Sequence, residues 1–122
     1  MARPHENLQA WKEAMRLVRT IYDLTKTLPK EEIYGLVAQM RRAAVSVPSN
    51  LAEGAARSSR KEFSQFLGVA KGSLSELETQ LLISADLGYL DRGNKVFDLA
   101  QYVAKLLAGL HRKALVSKEA RE

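Results

Sequence analysis

The sequence predicts an all-α fold, an antiparallel up-down-up-down four-helix bundle, and three observations carry that expectation. Apolar residues recur at spacings of three and four in four successive stretches, the period of one helix face. No stretch alternates apolar with polar residues as a half-buried strand would, and no Asn-Gly or Asp-Gly pair marks a hairpin. The breaks between stretches are short, around Pro29, Gly54 and Gly88, and helices joined so tightly lie antiparallel to their neighbours. At 122 residues the chain suits one domain with one core.

The first helix is expected over about residues 8–28. Leu8, Trp11, Met15, Val18, Tyr22 and Thr25 share a face, Asn7 offers an N-cap, and Pro29 ends the helix because it lacks an N–H and clashes with the preceding turn. The second is expected over about 31–55, with Leu36, Met40, Ala43 or Ala44, Val47 and Leu51 inward. Pro48 predicts a kink inside it and Gly54 a stop. The third, about 59–87, opens on the capping box Ser59-Arg60-Lys61-Glu62 and carries Phe63, Phe66, Leu67, Ala70, Leu74, Leu77 and Leu81. Gly88 then takes the position just past the helix end. The fourth, about 91–115, starts at an Asp91 cap and turns Val96, Leu99, Val103, Leu106, Leu107 and Leu110 inward. A polar tail over 117–122 is expected to fray.

Several function classes drop out on composition. With no Cys there is no disulfide framework, thiolate metal site or cysteine nucleophile. No run approaches the 18 or so apolar residues of a spanning helix, and no apolar run follows the charges of the N-terminus as in a signal peptide. A soluble, cytoplasmic chain with no membrane partner is the expectation. The only histidines, His5 and His111, lack a Glu three residues before them, so the Glu-x-x-His pairs of di-iron bundles are missing and neither metal nor cofactor is expected. Glu76 and Glu78 are two apart and point to different helix faces. Ser58-Ser59-Arg60-Lys61 spells Ser-x-x-Lys, but its Ser-Asp-Asn and Lys-Thr-Gly partners are absent and helix capping accounts for the serines. Gly68-Val-Ala-Lys-Gly72 lies in a helix with no strand before it, so it is no phosphate loop. No catalytic residue is expected, and the chain reads as a non-enzyme.

The net charge of +5 is unevenly placed. Residues 41–71 hold Arg41, Arg42, Arg57, Arg60, Lys61 and Lys71 against two acids, whereas 72–91 hold Glu76, Glu78, Asp86 and Asp91 with no base. The C-terminal part is basic again, with Arg112 and Lys113 among its bases. Such blocks are either a solvated helical surface or an attractor for a polyanion. Two rows stand out beside the charge. Ser64, Gly68, Gly72 and Ser75 put small residues about one turn apart on the third helix, which suggests close approach by another helix. Gln39, Arg42, Ser46, Asn50 and Glu53 form a polar row on the second helix, read as a solvent face, a buried network of Arg42, Asn50 and Glu53, or a subunit contact.

The residues also carry a resemblance. Trp11-Lys-Glu-Ala-Met15, Ile21-Tyr-Asp-Leu-Thr25, Leu36-Val-Ala-Gln-Met40, the run Arg41 to Gly54 (Arg-Arg-Ala-Ala-Val-Ser-Val-Pro-Ser-Asn-Leu-Ala-Glu-Gly) and Arg57-Ser-Ser-Arg-Lys-Glu-Phe63 all enter it. Phe66-Leu67, Ala70-Lys-Gly-Ser-Leu74, Glu76-Leu-Glu-Thr-Gln80 and Leu87-Gly-Tyr-Leu90 extend it, so that it covers roughly residues 7–110. The chain resembles the four-helix-bundle proteins encoded in intervening sequences of bacterial 23S ribosomal RNA genes, a family similar to Avd, the accessory variability determinant of diversity-generating retroelements. The resemblance implies a homopentameric barrel with a central channel, a basic surface for nucleic acid and, as for Avd, association with a reverse transcriptase. The expected function is therefore a non-enzymatic, oligomeric nucleic-acid-binding scaffold for structured RNA or an RNA/DNA hybrid. Arg41, Arg57, Arg60, Lys61 and Lys71 would meet phosphates, with Arg112 and Lys113 as a second patch. Arg42, Asn50, Glu53, Gly68 and Gly72 would serve inter-helix or subunit contacts. The alternative is a protein-interaction module with no direct nucleic-acid role.

Overall fold

The computed structural model describes residues 3–121, with side chains placed from Arg3 to Leu115 except that of Asn7. Four α-helices make up most of it: α1 (Gln9–Thr25), α2 (Ala38–Ala55), α3 (Arg60–Asp86) and α4 (Lys95–Arg121). α1 packs on α2 and α4, and α3 packs on the same two, most extensively on α2. The helices thus stand at the corners of a square in chain order, each running against the next. At about 1.5 Å per residue, α3 and α4 are each roughly 40 Å long. Among the described residues no helix is long and apolar enough to cross a membrane.

The core is the set of stripes these helices turn inward. Met40, Ala43, Ala44, Val47 and Leu51 come from α2, Leu67, Ala70, Leu74, Leu77 and Leu81 from α3, and Val96, Leu99, Val103 and Leu107 from α4, all buried. α1 differs from expectation. It buries Ala10, Ala14, Leu17, Ile21 and Thr25, while Met15 and Tyr22 stay exposed and Trp11 and Val18 lie half-buried. Two apolar stripes run side by side on this helix. The one holding Ala10 and Ala14 is the narrower, so it lets α2 and α4 come close and leaves the bulkier stripe on the flank.

Helix ends follow local chemistry, with corrections to several of the expected boundaries. Pro4–Asn7 form a 3-10 turn, so α1 starts after Leu8, which has no capping side chain; the expected Asn7 cap is displaced, and its side chain lies outside the described residues. α1 ends at Thr25 and Leu28 folds back into the core. The break near the second helix falls at Gly35 (φ −107°, ψ −112°) in a π turn spanning Ile33–Val37, and not at Pro48. α2 runs unbroken through Pro48, whose ring is buried. Burial of that ring offsets the one helical hydrogen bond proline removes. Glu32 holds the turn in place: Leu36 N–H donates to its Oε1 (3.2 Å) and the Tyr89 hydroxyl to its Oε2 (3.1 Å).

Gly54 is buried inside α2 rather than ending it, because α3 presses close there. A Cβ at this position would lie 2.7 Å from Phe66 Cβ and 3.0 Å from Phe63 Cδ1. Ser59 caps α3 by accepting from Glu62 N–H at 3.1 Å, though the Glu62 carboxylate accepts from the Ser59 hydroxyl instead of closing the reciprocal backbone bond. At the far end Gly88 (φ +83°) donates to Ala85 O and Tyr89 to Ser84 O, a Schellman motif. Asp91 does not cap α4. Its carboxylate accepts from Gly93 N–H (2.7 Å), an Asx turn, and Asn94 is the cap, accepting from Val96 N–H at 2.9 Å. α4 continues past residue 115 to Arg121.

Candidate nucleic-acid interface

Antiparallel packing gathers most of the predicted cations at one end of the bundle. Arg57 lies in the α2–α3 connection, Arg60 and Lys61 open α3, and α4 brings Arg112 and Lys113 back to the same end. The start of α1 sits between them. Leu8, Ala10, Leu106, Gly109 and Leu110 floor an open groove of about 690 Å³ whose rim is Lys105, Arg112 and Lys113. A neighbouring hollow of about 290 Å³ shares Leu8 and adds Gly54 and Phe63 with Arg57 and Arg60. Lys105 escaped the sequence reading, yet it stands seven residues before Arg112, a spacing that places both on one face of α4.

The cations differ in what they already hold. Arg57 pairs with Glu53 (3.0 Å) and lies over the Phe66 ring, 5.1 Å from its centroid. Lys71 approaches His111 Nδ1 at 3.4 Å, while Ser64 Oγ lies 3.1 Å from His111 Nε2. Burial, and then the charge of Lys71, hold the His111 pKa below its ordinary value. Arg60, Lys61, Lys105, Arg112 and Lys113 have no hydrogen bond or ion pair to another described residue.

Arg41 belongs to another place. It lies near the start of α2, toward the opposite end, stacked on the Tyr22 ring at 4.5 Å. Its Nε donates to Thr25 Oγ1 at 2.9 Å and its Nη2 to Tyr22 O at 3.4 Å. This arginine is occupied in joining α1 to α2. That end of the bundle also carries Lys26, Lys30, Arg42, Arg92 and Lys95, and with Arg41 these bases balance its acids Asp23, Glu31, Glu32, Asp86, Asp91 and Asp98, so the net positive charge sits toward the other end.

The polar row does not form the buried network allowed for it. Arg42 is exposed, Glu53 is exposed and paired with Arg57, and Asn50 donates to Ser46 O (2.8 Å) and Ser46 Oγ (3.0 Å). The element that does link helices is Ser46 Oγ with Ser73 Oγ, 2.8 Å apart across α2 and α3. Gly68 and Gly72 are also not close-approach positions inside the chain. Both are exposed, and among the described residues a Cβ on either would meet nothing within 4 Å. Each costs α3 roughly 1 kcal/mol relative to Ala with no return from the chain's own packing. Of the aromatics read as core, Trp11, Phe63 and Phe66 are half-buried at its edge. Trp11 meets His5 edge-on, their centroids 5.0 Å apart.

No curated protein matches the chain. A family model described as the 23S rRNA-intervening sequence protein matches residues 6–109, a span that takes in α1, α2 and α3 whole and more than half of α4. With the match running through every helix of the bundle, the chain belongs to the 23S rRNA-intervening sequence protein family.

Proposed function

We propose that this chain is a non-enzymatic, oligomeric nucleic-acid-binding scaffold, a homopentameric barrel that works in the cytoplasm on structured RNA or an RNA/DNA hybrid. The supporting observation is the group of five cations, Arg60, Lys61, Lys105, Arg112 and Lys113, without partners among the described residues, four at one end of the bundle and Lys105 midway along α4 on the rim of the groove it shares with Arg112 and Lys113. Arg57 and Lys71 join them as cations with existing contacts. Contacts of this kind follow the phosphate backbone and not base identity.

The test is a titration against a labelled structured RNA and a matching DNA duplex at two salt concentrations. Five neutralised phosphates give a log–log slope of about −3.5 to −4.5, a loss of a hundredfold or more between about 50 and 200 mM salt. Replacing Arg57, Arg60 and Lys61 together by Ala flattens that slope by about two to three. Unchanged affinity in the triple variant overturns the site. Absence of binding at low salt turns the reading to a protein-interaction module, such as an accessory of a reverse transcriptase of the kind Avd serves. The apolar floor beneath Lys105, Arg112 and Lys113 favours that second reading, because a phosphate backbone leaves such a floor uncovered.

A further inference from the structure

Two surfaces of the bundle are unused by its own packing, and they match each other. The first is a ridge along the α1–α2 seam. Met15 is 41% exposed and Val45 40% exposed. Arg41 on Tyr22 joins the two helices at the far end of this seam, and half-buried Trp11 and Val18 on α1 and Ala52 on α2 continue the apolar surface. Exposed Lys12 and Arg19 border the ridge. The second surface is a furrow on the outermost line of α3, where Gly68, Gly72, Ser75 and Thr79 follow one another, all exposed. From Gly72 onward α3 carries Glu76, Glu78 and Asp86 and no base.

Two glycines in mid-helix lower the stability of α3, and among the described residues nothing approaches either of them. Their smallness becomes useful only when a backbone from outside comes near. The ridge cannot supply it within one chain, because α1 packs on α2 and α4 and not on α3. A second copy can. We propose that the α1–α2 ridge of one copy seats in the α3 furrow of the next, bulk against smallness and base against acid. This rests on the oligomer reading above and adds to it the two faces and their head-to-tail relation. Because the faces differ, each bound copy keeps one of each free, and addition continues until a ring closes.

Two variants of the full chain test this by analytical ultracentrifugation. Met15→Glu with Val45→Glu spoils the ridge, and Gly68→Gln with Gly72→Gln fills the furrow. Each alone is expected to sediment at the mass of one chain, with far-UV circular dichroism still helical. Mixed, they retain one good ridge and one good furrow, so a species of twice the chain mass is expected and nothing larger. The milder Gly68→Ala with Gly72→Ala, which favours the helix, is expected to weaken association at least tenfold. A wild-type chain sedimenting as a monomer overturns the oligomer reading and this one with it. A wild-type oligomer that both variants leave intact overturns the choice of faces alone. Variants that are monomeric separately and still monomeric when mixed overturn the head-to-tail relation.

Discussion

Gly54→Ala isolates the closest helix contact in the bundle. Elsewhere in a helix this change is favourable by roughly 1 kcal/mol, because Ala loses less backbone entropy than Gly. At Gly54 the added methyl would sit 2.7 Å from Phe66 Cβ and 3.0 Å from Phe63 Cδ1. The Phe63 ring can swing, but Phe66 Cβ is fixed to the backbone, so α2 and α3 must separate by several tenths of an ångström. Overpacking costs about 1–3 kcal/mol, and contact at 2.7 Å with an atom fixed to the backbone belongs to the upper part of that range, about 2–3 kcal/mol. Net of the propensity gain, we expect a loss of about 1–2 kcal/mol, a fall in Tm of roughly 4–8 °C for a domain of this size. The assay is thermal melting followed at 222 nm, with urea titration to confirm an unchanged m-value. The mechanism makes a sharper demand in the double variant. Phe66→Ala keeps its Cβ, so it cannot rescue Gly54→Ala, and the cycle should show little coupling. A neutral or stabilising Gly54→Ala, or rescue by Phe66→Ala, refutes close backbone approach here.

Three further outcomes are expected. Arg41→Ala removes the stacking on Tyr22 and the bond to Thr25, lowering stability by about 1–2 kcal/mol; in the salt titration its affinity for nucleic acid stays at the wild-type level. Gln80 is buried and its Oε1 has no hydrogen-bond partner among the described residues, so Gln80→Met is expected to raise stability by about 1 kcal/mol in urea denaturation. His111 has its folded pKa lowered by burial and Lys71, so the unfolded chain binds this proton more readily. Its contribution to stability is in place above the ordinary histidine value of about 6.5 and is lost as pH falls from there through the lowered folded value. His111→Gln should remove that segment of the stability–pH curve.

Features written in contiguous residues were legible. Ser59 with Glu62, and Gly88 at the end of α3, are local signals that no distant contact overrides. Asp91 and Asn94 are both good caps, and the sequence offers no way to rank them until Gly93 is seen closing an Asx turn on Asp91. On α1 two apolar stripes satisfy the same helical period, and only the positions of α2 and α4 decide which one is inward. Glycines show the same limit: Gly54 faces Phe66 while Gly68 and Gly72 face open space, a distinction that spacing does not encode. For the site, charge alone gives Arg41 and Arg57 equal weight. The fold separates them, because Tyr22 and Thr25 hold Arg41 at the other end. Lys105 was within reach of the sequence through its seven-residue spacing to Arg112.

Net positive charge toward one end of the bundle, with balanced charge at the other, has a kinetic consequence. An elongated body charged this way carries an electric dipole along its length and turns in the field of a polyanion before contact is made. Orientation is usually what slows docking of one particular patch. Here the field does part of that search, turning the end with Arg60, Lys61, Arg112 and Lys113 toward the polyanion. The signature is an association rate that falls steeply with ionic strength while the dissociation rate changes much less.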